Sequence, residues 1–288
     1  MDFNRSQQES YKLKAPENLS LSHGTVSCDG RFYAVAENVK SKRKARVHLF
    51  DLETGQYSLL LEKENCTFTH EQFCLENTHI GDHYLMLQVN YHYDDPRDIK
   101  LGLIDVSGYS TDMQWLPVSY PNTLRCSGHQ CWVSNSNKVI LTVMMDESTW
   151  GNVWIAEPDK AKPHQVCRNH TYFGHISASY CGNYWIADGY HEPGTPVYIG
   201  TMSGQKYRRI FNSETIFRGE GQLGHTHLYL TADNKYVIFN SGRTGHSQVY
   251  AALIPEDIWK SLSTEGNLVE RPAPEWSGDR GGNEYRRF

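Results

Sequence analysis

Apolar residues in this chain come in short stretches that either alternate with polar ones, as in ARVHLFDL (45–52), or run solidly, as in KVILTVM (138–144). Both patterns mark β-strands, the first with one face buried and the second with both. Polar turns rich in Gly, Asp and Asn separate them, such as ETGQ (53–56), PDKA (158–161) and MSGQ (202–205). No helical period runs through the middle of the chain. Beyond about Ile254 the pattern changes, and PEDIWKSL (255–262) predicts a short helix.

The strands are organised by a repeat. Each unit opens on a histidine, runs through a short strand and a polar turn, and enters a second, more apolar strand. The opening residues are His23, His70, His129, His175 and His227, at intervals of 47, 59, 46 and 52 residues. Each unit then continues with further short strands. A period of about fifty residues with four strands per unit is that of propeller blades. The predicted fold is therefore all-β: a β-propeller of five recognisable blades over residues 1–262, followed by a polar tail over 263–288. The fifth unit lacks a fourth strand of its own, and ESYKLK (9–14) is a candidate to supply it and close the ring. The competing reading of the pattern is an open β-meander whose period is coincidental.

Composition narrows the function classes. Hydrophobic residues make up 39% and charged residues 21%, which suits a packed globular chain. A net charge of −5 argues against a nucleic-acid partner. No apolar run approaches the ~20 residues needed to span a bilayer. The N-terminus, MDFNRSQQES, has no apolar segment of a secretory signal. The seven cysteines are scattered without a CxxC pair, which reads as reduced thiols in a cytoplasmic protein.

The opening histidines carry the chemistry. The first strand of a propeller blade lines the central channel, so residues at one point of each first strand face one axis. Any one of these histidines alone reads more simply as a turn cap or channel-wall residue; the set of five gives the signal. Its sharpest part is Gln222-Leu-Gly-His225-Thr-His227. In a strand, residues two apart share a face, so His225 and His227 are expected to present two imidazoles together. Imidazoles with an amide oxygen suit a borderline divalent ion. A third imidazole is expected from His129 or His175.

These residues resemble the oligogalacturonate lyase family. The resemblance is strong over 219–260, fair over 44–72 and 126–190, and weak elsewhere. It implies a seven-bladed, Mn²⁺-dependent propeller that cuts short pectin fragments by β-elimination. It implies Mn²⁺, or another divalent transition metal, held by His129, Gln222, His225 and His227. It implies His70 as the group that takes the C5 proton of the uronate, with Arg46 near the substrate carboxylate, and Arg46, His175 and Arg218 as substrate-binding residues. The expected partner is a small acidic oligosaccharide, with neither nucleic acid nor membrane.

The chain also departs from the family. It is shorter by about two blades at the N-terminus. The family Arg before the ligand Gln is Gly221 here, with Arg218 nearby. Arg46 sits beside Lys42, Arg43 and Lys44, a context that equally fits a solvated face. Two other functions remain open at the level of sequence. One is a lyase acting on a different acidic sugar. The other is a non-catalytic propeller that binds an oligosaccharide or protein partner and keeps a relic metal site.

Overall fold

The computed structural model describes residues 23–39, 43–75, 83–91, 99–108, 111–134, 136–145, 151–168, 170–204, 206–215 and 224–263. The candidate closing strand 9–14 and the tail beyond Ser263 lie outside them, as do Arg218 and Gln222.

Each histidine-led repeat folds into one antiparallel sheet. The first contains β1 (Gly24–Val26), β2 (Phe32–Val39), β3 (Lys44–Asp51) and β4 (Gln56–Glu64). The second contains β5 (Thr67–Phe73), β6 (Tyr84–Asn90), β7 (Ile99–Asp105) and β8 (Gln114–Trp115). The third contains β9 (Cys126–Trp132), β10 (Val139–Val143), β11 (Val153–Ala156) and β12 (His164–Cys167). The fourth contains β13 (Phe173–Ala178), β14 (Tyr184–Gly189), β15 (Pro196–Thr201) and β16 (Tyr207–Asn212). The last contains β17 (Tyr229–Leu230), β18 (Tyr236–Ser241) and β19 (Gln248–Leu253). In every sheet the strands lie side by side in chain order, as in the blades of a β-propeller. The helix α1 (Glu256–Ser263) follows where PEDIWKSL predicts it, and Trp259 packs its edge on Tyr184 with ring centres 4.8 Å apart.

The solid apolar strands are the middle ones, buried on both faces: VILTV of β10 has no exposed position. Between consecutive sheets lies one apolar cluster, giving four clusters for five sheets among the described residues. The cluster between the third and fourth sheets centres on Trp185 and Phe173, fully buried with rings 5.2 Å apart. Truncating such a buried aromatic to Ala typically costs about 3–5 kcal/mol. The outer face of the last sheet is different. Tyr229, Tyr236, Val249 and Leu253 are exposed there.

All seven cysteines are free, and burial pushes the thiols of Cys126, Cys131 and Cys167 up to about 11, 12 and 12. Among the described residues, no helix is long and apolar enough to cross a membrane.

Candidate metal centre

The first strands bring the repeat histidines to one place, and they do so by breaking their own ladders. In β5 the register slips between Thr69 and Gln72, at His70, which has a left-handed φ of 54°. In β9 it slips over Ser127–His129, where Gly128 takes φ 98°. In β13 it slips between Phe173 and Ile176, at Gly174 and His175. A bulge of this kind bends a strand and re-aims the side chain at the extra residue. A non-glycine residue held at positive φ is strained, and such strain concentrates at functional sites.

His225 and His227 depart from expectation. They precede β17 and belong to no strand, and His227 sits at φ 40°. Their rings converge with centres 5.6 Å apart through this irregular turn, with Thr226 buried between them.

The imidazoles form a chain. The ring centres of His70 and His129 are 6.4 Å apart, and those of His129 and His175 are 4.3 Å apart. His175 lies 5.0 Å from His225 and 4.8 Å from His227. His23 is near enough for its charge to depress the pKa of His70.

Within the chain, His175, His225 and His227 each offer one donor atom, and these lie within 4.8 Å of one another. Nε2 of His175 is 3.2 Å from Nδ1 of His225. That is the spacing of two nitrogens bound side by side to one ion at about 2.1 Å each. The resemblance implied His129, with Gln222, beside His225 and His227. The structure groups His175, expected on the substrate, with His225 and His227. His129 adjoins this triad from the neighbouring sheet, and its Nδ1 is buried without a protein hydrogen-bond partner. The reason is rotational: the His of the fourth sheet is one blade closer to the turn before β17 than the His of the third.

Burial and mutual repulsion disfavour protonation of His70, His129, His225 and His227. Burial, then the neighbouring His175, lowers the pKa of His225, and the same causes bring His227 to about 4. His129 is held well below the usual imidazole range by burial and by four surrounding histidines. His70 is lowered by burial and by His175 and His23. Neutral imidazoles present the lone pairs that a metal requires.

Asp188, on β14, was not expected at the site. It is fully buried; its Oδ2 accepts from Nδ1 of His175 at 2.8 Å and its Oδ1 accepts from the His175 backbone N–H at 2.9 Å. Burial alone would raise its pKa, yet His175 and the hydrogen bonds hold it below the ordinary carboxylate value. Tyr190 stands beside the triad, its ring centre 6.0 Å from that of His175 and 6.1 Å from that of His225.

Arg46 is not brought to the histidines by any described contact. Its Nε donates to Glu62 at 2.7 Å, and its Nη1 lies 3.4 Å from Glu37, which also contacts His48. The two acids flank Arg46 on the strands to either side and occupy the guanidinium expected on a substrate carboxylate. Arg218 and Gln222 are outside the described residues.

No family profile matches the chain. Among curated proteins it is 22% identical over 231 residues to an oligogalacturonate lyase of Dickeya dadantii, covering 75% of this chain and 57% of that one. It is 24% identical over 147 residues to an oligogalacturonide lyase of Pectobacterium atrosepticum, covering 46% and 38%. Among solved structures it superimposes on an oligogalacturonate lyase in complex with manganese with a TM-score of 0.67 at 18% identity, over 85% of this chain and 68% of the other. The chain is similar to oligogalacturonate lyases in sequence and in fold. It spans little more than half the length of the Dickeya lyase. It shares the propeller architecture of these lyases.

Proposed function

We propose that this chain binds a divalent transition metal, Mn²⁺ foremost, and cleaves short oligogalacturonates by β-elimination. The observation that carries the reading is the triad of His175, His225 and His227 at the hub of a fold shared with a manganese-bound oligogalacturonate lyase. The donor set fits: three imidazoles, with Gln222 of the same QLGHTH motif as a fourth ligand. When bound, the ion supplies a fixed positive charge for a uronate carboxylate.

The remaining chemistry falls to the protein. β-Elimination moves the C5 proton of the uronate to a base, forms a C4–C5 double bond and expels the C4 oxygen, which takes a proton from solvent and leaves as the hydroxyl of the departing sugar. His129 suits the base. It adjoins the triad, its Nδ1 has no protein partner, and it is held neutral. A positioned neutral imidazole of this kind typically contributes about 10²–10⁴-fold. His70 lies one sheet further round, its ring centre 6.4 Å from that of His129. Asp188 holds the ring of His175, and Tyr190 walls the site. Arg46 is committed to Glu62 and Glu37 and takes no part.

The test is incubation with digalacturonate, with and without Mn²⁺, following ultraviolet absorbance of the unsaturated product. Metal-dependent product formation is expected. Absence of product with a protein that retains about one metal per chain overturns the lyase reading and leaves only a metal-binding propeller.

A further inference from the structure

We propose that Asp188 is the positioning residue that sets the tautomer of His175 and so aims its Nε2 at the metal; this rests on the metal reading above. A ring nitrogen can bind a metal only through a lone pair. Neutral imidazole has one, on whichever nitrogen lacks the proton. The carboxylate of Asp188 accepts from Nδ1 at 2.8 Å, so the proton stays on Nδ1 and the lone pair on Nε2. Nε2 is the atom that faces Nδ1 of His225 at 3.2 Å.

The carboxylate is itself clamped. Its other oxygen accepts from the backbone N–H of His175 at 2.9 Å, so one side chain fixes both the ring and the backbone of the same residue. This approach requires Gly174. A Cβ there would fall 2.7 Å from Oδ1 of Asp188 and 2.7 Å from Cδ2 of Tyr190. The bulge at Gly174–His175, the missing side chain and the buried acid act as one device.

The geometry makes an isosteric substitution informative. The backbone N–H of His175 is always a donor, so in Asp188→Asn the single amide oxygen stays with it. The amide NH₂ then faces Nδ1 and can only donate. Nδ1 must accept, the proton moves to Nε2, and the lone pair turns away from the triad. Loss of such an outer partner typically weakens metal affinity about 10–100-fold.

Two measurements on the full chain test this. In metal-free protein with ¹⁵N-labelled histidine, assigned against His175→Gln, the wild type is expected to carry the His175 proton on Nδ1 and Asp188→Asn on Nε2. In Mn²⁺ titration, Asp188→Asn is expected to bind about 10–100-fold more weakly. Should Asp188→Asn fail to fold, judged by circular dichroism, Gly174→Ala tests the same clamp by displacing the acid with its charge intact; its expected loss of affinity is in the same direction. An unchanged tautomer, or affinity within about twofold of wild type, overturns the proposal. Wild-type protein that binds no Mn²⁺ overturns the metal reading instead, and the tautomer measurement alone then decides the role of Asp188.

Discussion

The imidazoles of His129 and His175 lie 4.3 Å apart, ring centre to ring centre, on the first strands of adjacent sheets. Of the two, His175 is oriented by a carboxylate, and His129 has a buried ring nitrogen without a protein hydrogen-bond partner. The roles proposed for these two neighbours differ, and substitution separates them. His175→Ala is expected to lose both metal and turnover. His129→Ala is expected to keep about one metal per chain and to lose about 10²-fold or more in turnover. Elemental analysis beside a product assay checks both; metal loss in His129→Ala with retention in His175→Ala would return the ligand role to His129.

Removing His225 and His227 together should abolish metal binding. The triad offers three described donors, and the double change leaves one. Equal metal content in the double Ala variant and wild type, after identical dialysis, would show that the ion sits elsewhere.

Arg46→Ala is expected to leave metal content unchanged and kcat/KM within about twofold, because a partly exposed ion pair contributes only about 0.2–1 kcal/mol. Its guanidinium is already taken by Glu62 and Glu37. A hundredfold rise in KM, on the order of 2.7 kcal/mol of lost binding, would instead place Arg46 on the substrate.

Asp51 gives a pH-dependent signature away from the site. Its buried carboxylate accepts from Arg31 at 3.0 Å and from the backbone N–H groups of Glu53 and Thr54, each at 3.0 Å. Burial raises its pKa, but these donors outweigh burial and leave it lowered. The folded state then binds fewer protons than the unfolded one as pH falls below the ordinary Asp value. The stabilisation is therefore fully present above about pH 4 and is lost as pH drops through the folded pKa. Asp51→Asn should cost on the order of 1–3 kcal/mol at pH 7, with a smaller difference at pH 3. Urea denaturation at the two pH values measures it; an equal or larger difference at pH 3 would contradict the sign.

The blades were legible because each strand carries its own pattern and the histidine marks each unit. KVILTVM is solid because β10 is covered on both faces. What was not legible is rotational. Which opening histidine meets His225 and His227 depends on how far round each sheet stands, and the sequence spacing carries no such angle. The bulges at His70 and His175 were hidden for a related reason, since a one-residue slip leaves the apolar pattern of the strand intact. Two features had an unread signal. Register places Glu37 and Glu62 directly opposite Arg46 on either side. The turn that pairs Ile176 with Ala187 likewise carries Asp188 back to the level of His175. Counting outward from each turn would have found both.

The triad draws on two sheets: His175 comes from the fourth, and His225 and His227 come from the turn that enters the last. An ion held there is a rivet between them. The last sheet has three strands, and its outer face leaves Val249 72% and Leu253 62% exposed. A ligand that binds only the assembled pair adds about 2.7 kcal/mol at a concentration one hundred times its Kd. That increment falls on the described sheet with the fewest strands. Chelation should therefore loosen the chain from its C-terminal end first, with β18 and β19 gaining amide exchange while β2 and β3 keep their protection.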